Sequence, residues 1–164
     1  MEETTLAYLR RKGETLLLHR VGKKNDVNHG KWIGVGGHIE KGETPEECMR
    51  REVWEETGLT VRDFIKRGVV RFLSGEWQEV MHLYTVDGFE GELHGCDEGE
   101  LRWIPNRQIP SLEQWEGDRI FLDLISSGAP FFYLTLVYDG DRLISHRVEY
   151  PGMQIGRASC RERV

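Results

Sequence analysis

Residues 44–58, TPEECMRREVWEETG, carry the signals for both ends of one α-helix. Thr44 suits the N-cap, where its hydroxyl can take a first-turn amide, and Glu47 completes a capping box with it. Pro45 suits the first helical position, where its missing N–H costs nothing. Gly58 can enter the left-handed conformation that ends the helix. A helix fixed this firmly needs a surface to pack on, and its flanks read as β-structure. TTLAYLRRKGETLLLHR predicts a hairpin turning at Lys12-Gly13. VGKKNDVNHGK is a polar loop, and WIGVGGHIEKGE is loop or short strand where backbone must approach something closely.

Beyond the helix, GVVRFLS, EVMHLYTVDGF and GELRWIP predict strands. SLEQWEGDRIFLDLISSG predicts a second helix starting near Gly117-Asp118, and PFFYLTLVYDGDRLISHRVEY a closing hairpin turning at Asp139-Gly140. Strands interleaved with two helices, with hairpins at both ends, predict an α/β fold with a mixed sheet. One domain over residues 1–150 accounts for all of these patterns. Residues 155–164, IGRASCRERV, continue none of them. They resemble a translated sequencing adapter, since ATC GGA AGA GCG TCG TGT AGG GAA AGA GTG encodes them. The tail, 151–164, is therefore set apart, with 155–164 expected to be an artefact of read assembly.

The net charge of −6 argues against a general affinity for nucleic-acid polymers, which needs a basic face. It leaves room for a small polyanionic ligand drawn in by cations and local basic residues. Cys48, Cys96 and Cys160 are odd in number and contain no CxxC, which predicts reduced thiols. The histidines show no HExxH spacing. No apolar run is long enough to span a membrane, and the acidic N-terminal segment lacks the layout of a secretion signal, so a cytoplasmic location is expected.

The helix gathers Glu52, Glu55 and Glu56 on one face: at about 100° per residue, Glu55 lies about 60° to one side of Glu52 and Glu56 about 40° to the other. Like charges so placed cost an isolated helix about 0.2–0.5 kcal/mol per pair. Such a face is either simply solvated or relieved by cations. Two features favour cations: the glycine-rich approach, and the scarcity of i,i+4 basic partners, Arg51 being the near exception. Magnesium is commonly shared between carboxylates and substrate phosphates, so the cluster reads as a platform for phosphate chemistry.

Gly37-x5-Glu43-x7-Arg51-Glu52-Val53-x-Glu55-Glu56-x-Gly58-Leu59 resembles the Nudix box, G-x5-E-x7-R-E-U-x-E-E-x-G-U, without a mismatch. The resemblance implies the α/β/α Nudix sandwich and magnesium-dependent hydrolysis of a nucleoside diphosphate linked to another group, with manganese as a substitute ion. It implies Glu52, Glu55 and Glu56 as metal ligands, together with the carbonyl of Gly36, where a glycine leaves the ion's approach clear. Arg51 and Glu43 then form the ion pair that holds the loop to the helix.

KWIGVGGHIEKGET and DEGELRWIPNRQIPSLEQWEGDRIFLDLI are further similar to MutT-type enzymes that hydrolyse oxidised purine nucleoside triphosphates, 8-oxo-dGTP giving 8-oxo-dGMP and diphosphate. Glu98 matches the glutamate outside the box that completes the metal site, and the role of general base stays open between Glu52 and Glu98. Trp115 and Asp118 match base-contacting positions, although Trp115 serves equally well as a packing residue. Trp32 reads as core. The chain departs from the pattern at Ile33, where eukaryotic-type enzymes have a base-reading asparagine, and at Gly117-Asp118, where they have two aspartates. Discrimination of 8-oxoguanine from guanine is therefore open. Lys23, Lys24 and Lys31 either steer the triphosphate or are solvated, and solvation is the expectation. The alternatives are another Nudix substrate, such as a dNTP, ADP-ribose or a dinucleoside polyphosphate, and a non-catalytic nucleotide sensor, which the intact box disfavours. A monomer or homodimer acting on a small nucleotide, away from membranes and nucleic-acid polymers, is expected.

Overall fold

The computed structural model describes residues 1–22 and 24–152. The chain runs β1 (Glu2–Arg11), β2 (Glu14–His19), β3 (Trp32–Ile33), α1 (Pro45–Thr57), β4 (Leu59–Ser74), β5 (Trp77–Gly91) and β6 (Glu100–Pro105). A 3-10 turn over Asn106–Ser111, α2 (Glu116–Ser126), β7 (Phe132–Asp139) and β8 (Arg142–Glu149) follow. The strand order is β3-β2-β1-β5-β4-β7-β8, with β6 also on β2. β1 with β5 and β4 with β7 are parallel, and the remaining pairs are antiparallel, so the sheet is mixed as expected.

Successive strand residues point to opposite faces, and the two cores follow that alternation. Ala7 and Leu9 of β1 pack with Met49 and Val53 of α1, while Tyr8 between them packs with Phe121 and Ile125 of α2. One helix covers each face, giving a helix–sheet–helix sandwich. Each large side chain so buried is worth about 1.5–3 kcal/mol relative to exposure.

The first helix has the ends its sequence encodes. Thr44 Oγ1 accepts the Glu47 amide at 3.1 Å, and the Glu47 carboxylate accepts the Thr44 amide at 2.9 Å. Gly58 closes α1 at φ 81°, its N–H bonded to the Trp54 carbonyl. The second helix starts at Glu116, as its sequence suggests. The strand expected from Gly68 instead begins at Leu59, directly after α1. Register shifts between Val61 and Asp63 and between Lys66 and Gly68 interrupt its alternation, so the first half of β4 has no clean period of two. The 3-10 turn, which contains Pro110, has no counterpart in the sequence reading. Residues 155–164, with Cys160, and Lys23 lie outside the described residues. Among the described residues, no helix is long and apolar enough to cross a membrane.

Candidate active site

The glycine loop runs antiparallel along β1. Ala7 and Val35 exchange both backbone hydrogen bonds, at 2.7 and 3.0 Å, and the Thr5 amide donates to the Gly37 carbonyl at 2.9 Å. Contact this close excludes side chains. A Cβ on Gly36 would stand 1.9 Å from the Thr5 carbonyl oxygen, and one on Gly37 would stand 2.5 Å from a Glu52 carboxylate oxygen. The glycine at position 36 is therefore required by the β1 backbone, a reason that the sequence alone did not show. Gly36→Ala is expected to cost about 3 kcal/mol or more, because backbone rather than a flexible side chain blocks the methyl group. Urea denaturation at neutral pH checks this.

Arg51 is the hub of the loop–helix junction. Its guanidinium takes both Glu43 oxygens, at 2.6 and 3.0 Å, Glu52 at 3.0 Å, Glu55 at 3.2 Å and the His38 carbonyl at 3.2 Å. Arg51 holds the Glu43 carboxyl down at about 2, helped by the Glu40 amide. The scarcity of basic partners inferred from the sequence is thus made up by one arginine serving several acids.

Glu56 has no such relief. Burial, a hydrogen bond with Glu52, and the charges of Glu98 and Glu52 all push its carboxyl far above the ordinary carboxylate range, opposed only by the Gly36 backbone. Glu98 reaches this point from the turn before β6. Arg20 holds it at 3.1 Å while also binding Asp26 at 2.8 Å. The turn is strapped down by the Gly22 amide, which donates to the Glu98 carbonyl at 3.0 Å, and by Gly99, where a Cβ would stand 1.8 Å from the His19 carbonyl oxygen. Among the described residues, no three His, Cys, Asp or Glu side chains stand ready to chelate an ion. The reason is visible: Arg51 draws Glu52 and Glu55 toward itself, and Arg20 draws Glu98. The donor set nevertheless suits a hard cation, since carboxylate oxygens crowd around Glu56, and either a proton or a cation must offset their repulsion.

On the far side of β1, Trp115 precedes α2. Its indole N–H donates to Asn28 at 2.7 Å, its ring meets Tyr138 edge-on at 5.6 Å, and the Lys31 ammonium lies 4.8 Å from the ring centroid. Asp118, 6 % exposed, follows on the first turn of α2. Burial, then the charge of Glu79, raises its carboxyl to about 7, and Lys31 opposes the shift.

The NUDIX domain model matches residues 3–125. The chain belongs to the Nudix family. It is a hydrolase of the MutT type. It is 33% identical over 129 residues to the oxidized purine nucleoside triphosphate hydrolase of Danio rerio, covering 77% of this chain and 83% of that one. The mutator MutT protein from Bacillus halodurans superposes with a TM-score of 0.82 at 25% identity, over 91% of this chain and 98% of that structure. A NAD-capped RNA hydrolase, NudC of Chromobacterium violaceum, is 42% identical over 109 residues, 62% of this chain and 37% of that protein.

Within this Nudix hydrolase the structure brings Glu52, Glu56 and Glu98 together at the Gly36 loop, with Arg51 and Glu43 bracing them. Glu55 is half-exposed and turned to Arg51. Ile33 sits on β3 opposite Leu18. Trp32 stacks on His19, with ring centroids 4.3 Å apart, and packs against the core beneath α2. Lys24 is exposed, whereas the Lys31 side chain, 17% exposed, is engaged with Trp115 and Glu113, which corrects the expectation that it is solvated. Arg20 was missed because its contact with Glu98 joins segments far apart in the chain, with no local spacing to announce it.

Proposed function

We propose that this Nudix hydrolase sanitises the nucleotide pool, converting 8-oxo-dGTP and water to 8-oxo-dGMP and diphosphate with magnesium, or manganese in its place. The Glu52 carboxylate lying against Gly37, with Glu98 held by Arg20 and both acting on Glu56, is the observation that supports the reading, because acids so placed favour a divalent cation. Glu52, Glu55, Glu56, Glu98 and the Gly36 carbonyl would hold the ion, Glu55 leaving Arg51 to do so. Bound there, magnesium would supply a polarised phosphorus and a bound water of lowered pKa. Glu98 or Glu52 takes the proton from the attacking water at a carboxylate oxygen. Arg51 and Glu43 keep the glycine loop against α1, and Arg20 fixes the direction of Glu98. Trp115 and Asp118 hold the base, the first by its ring and the second by hydrogen bonding to the Watson–Crick edge. The enzyme acts in the cytoplasm as a monomer or homodimer.

The supporting comparison is the Danio rerio enzyme, whose name states oxidised purine nucleoside triphosphates and which this chain covers over most of its length. A second reading, cleavage of a nucleotide-capped or dinucleotide substrate, draws on the higher identity to NudC, over a smaller part of that protein. A phosphate-release screen with magnesium, coupled to pyrophosphatase for 8-oxo-dGTP, dGTP and other nucleoside triphosphates and to alkaline phosphatase for ADP-ribose and NAD, separates the two. The highest kcat/KM is expected for 8-oxo-dGTP. A preference for NAD or ADP-ribose would replace the substrate and leave the family untouched.

A further inference from the structure

Beneath α2 the sheet carries a second carboxyl group. Glu79 has the same strand parity as Met81 and Leu83, both in the core that α2 covers, so it projects from the sheet on that face. Its cross-strand neighbours are Glu2 on β1 and Phe72 on β4. From β1 the buried Thr4 hydroxyl donates to Glu79 Oε2. Among the described residues, Oε1 accepts no hydrogen bond.

Asp118 meets this face from above. It is more than nine-tenths buried, and among the described residues its carboxyl makes no hydrogen bond. A buried carboxyl without a partner costs free energy that a ligand's donors can recover. Asp118 lies on the buried face of α2 with Phe121 and Ile125, which share a core with Met81 and Leu83, so both carboxyls stand between α2 and the sheet, and the charge of Glu79 acts on Asp118 there. The residue before Asp118 is tightly packed. A Cβ on Gly117 would stand 2.5 Å from Leu136 and 2.8 Å from the Tyr138 hydroxyl, which also accepts the Gly117 amide at 2.8 Å. A side chain at 117 would first have to displace Leu136 and Tyr138, so Asp118 is the carboxyl that this turn offers.

We infer that Glu79 is a base-reading residue, held by Thr4 and paired with Asp118. Once both are ionised they offer acceptors to a base edge that presents an N–H beside an NH2, and they disfavour an edge with an acceptor ring nitrogen. The pair in that state selects guanine-type over adenine-type bases. This inference rests on the nucleoside triphosphate reading above.

The test is steady-state kinetics with magnesium on 8-oxo-dGTP and dATP, for the parent enzyme, Glu79→Gln and Thr4→Val, with melting temperatures recorded alongside. Losing a charge-assisted hydrogen bond is expected to lower the guanine-over-adenine ratio of kcat/KM by roughly tenfold or more in Glu79→Gln. The loss should lie mainly in KM for 8-oxo-dGTP. Thr4→Val, which keeps the carboxylate but frees it, should move the ratio in the same direction by less. An unchanged ratio in Glu79→Gln, with both substrates slowed alike, overturns the inference. If that variant does not fold, an unchanged ratio in Thr4→Val does the same. A parent enzyme that cleaves neither triphosphate sinks the substrate reading itself, before any variant is compared.

Discussion

Glu56→Gln is expected to lower kcat at least about 100-fold, about 3 kcal/mol of transition-state stabilisation, while folding at least as well as the parent chain. The two halves of this result have one origin. Glu56 sits partly buried against Glu52 and Glu98, where a carboxylate suffers both desolvation and like-charge repulsion. Glutamine has nearly the same shape and can keep a hydrogen bond to Glu52, but it brings no charge. Without an ion the repulsion is removed, and a gain of about 1 kcal/mol would raise the melting temperature by about 2–4 °C in a chain of this size. With an ion, the variant lacks the carboxylate that the proposed site needs. Added magnesium should therefore stabilise the parent protein more than the variant. Turnover near the parental level in magnesium, or a variant that melts lower in chelator, would exclude the assignment of Glu56.

Arg51→Ala is expected to destabilise by about 3–5 kcal/mol at neutral pH, the range for breaking a largely buried ion pair from one side. Glu43 and Glu52, with side chains only 17% and 15% exposed, would lose their main counter-charge together, and Glu55 would lose its partner. The pH dependence identifies the cause. The Glu43 carboxyl is lowered from about 4.5 to about 2 in the folded protein, chiefly by its hydrogen bond from Arg51. A lowered carboxyl contributes stability that is complete above its unfolded value and lost as pH falls through its folded value. The gap between parent and variant should therefore be widest above pH of about 4.5 and shrink as pH falls toward about 2. Urea denaturation at several pH values measures it, and a gap that does not change over that window would remove Glu43 from the explanation. Arg51→Lys should recover part of the loss, since an ammonium keeps the charge without the two-pronged geometry.

The helix was legible because its information is local: cap, box, proline and terminating glycine lie within one short stretch, and each acts on its own backbone. The acids of α1 were legible for the same reason. The strands at both ends showed through their alternation, while the first half of β4 did not, because its bulges break the period that alternation relies on. Partnerships between distant segments were hidden altogether. Nothing near Arg20 announces Glu98, and nothing near Glu79 announces Asp118 or Thr4. Position 117 is instructive. Its lack of a carboxylate read as one base contact fewer, and in the fold any side chain there would first have to displace Leu136 and Tyr138.

The alternation of β1 has a consequence for how such a chain can change. Thr5 faces α1, where its hydroxyl meets Cys48, and Thr4 faces α2, where it holds Glu79, one peptide apart. Inserting or deleting a single residue between Thr5 and the rest of β1 would turn each to the opposite face in one stroke, disturbing the packing under both helices together. Natural variation at this edge should therefore proceed by substitution, with length held constant.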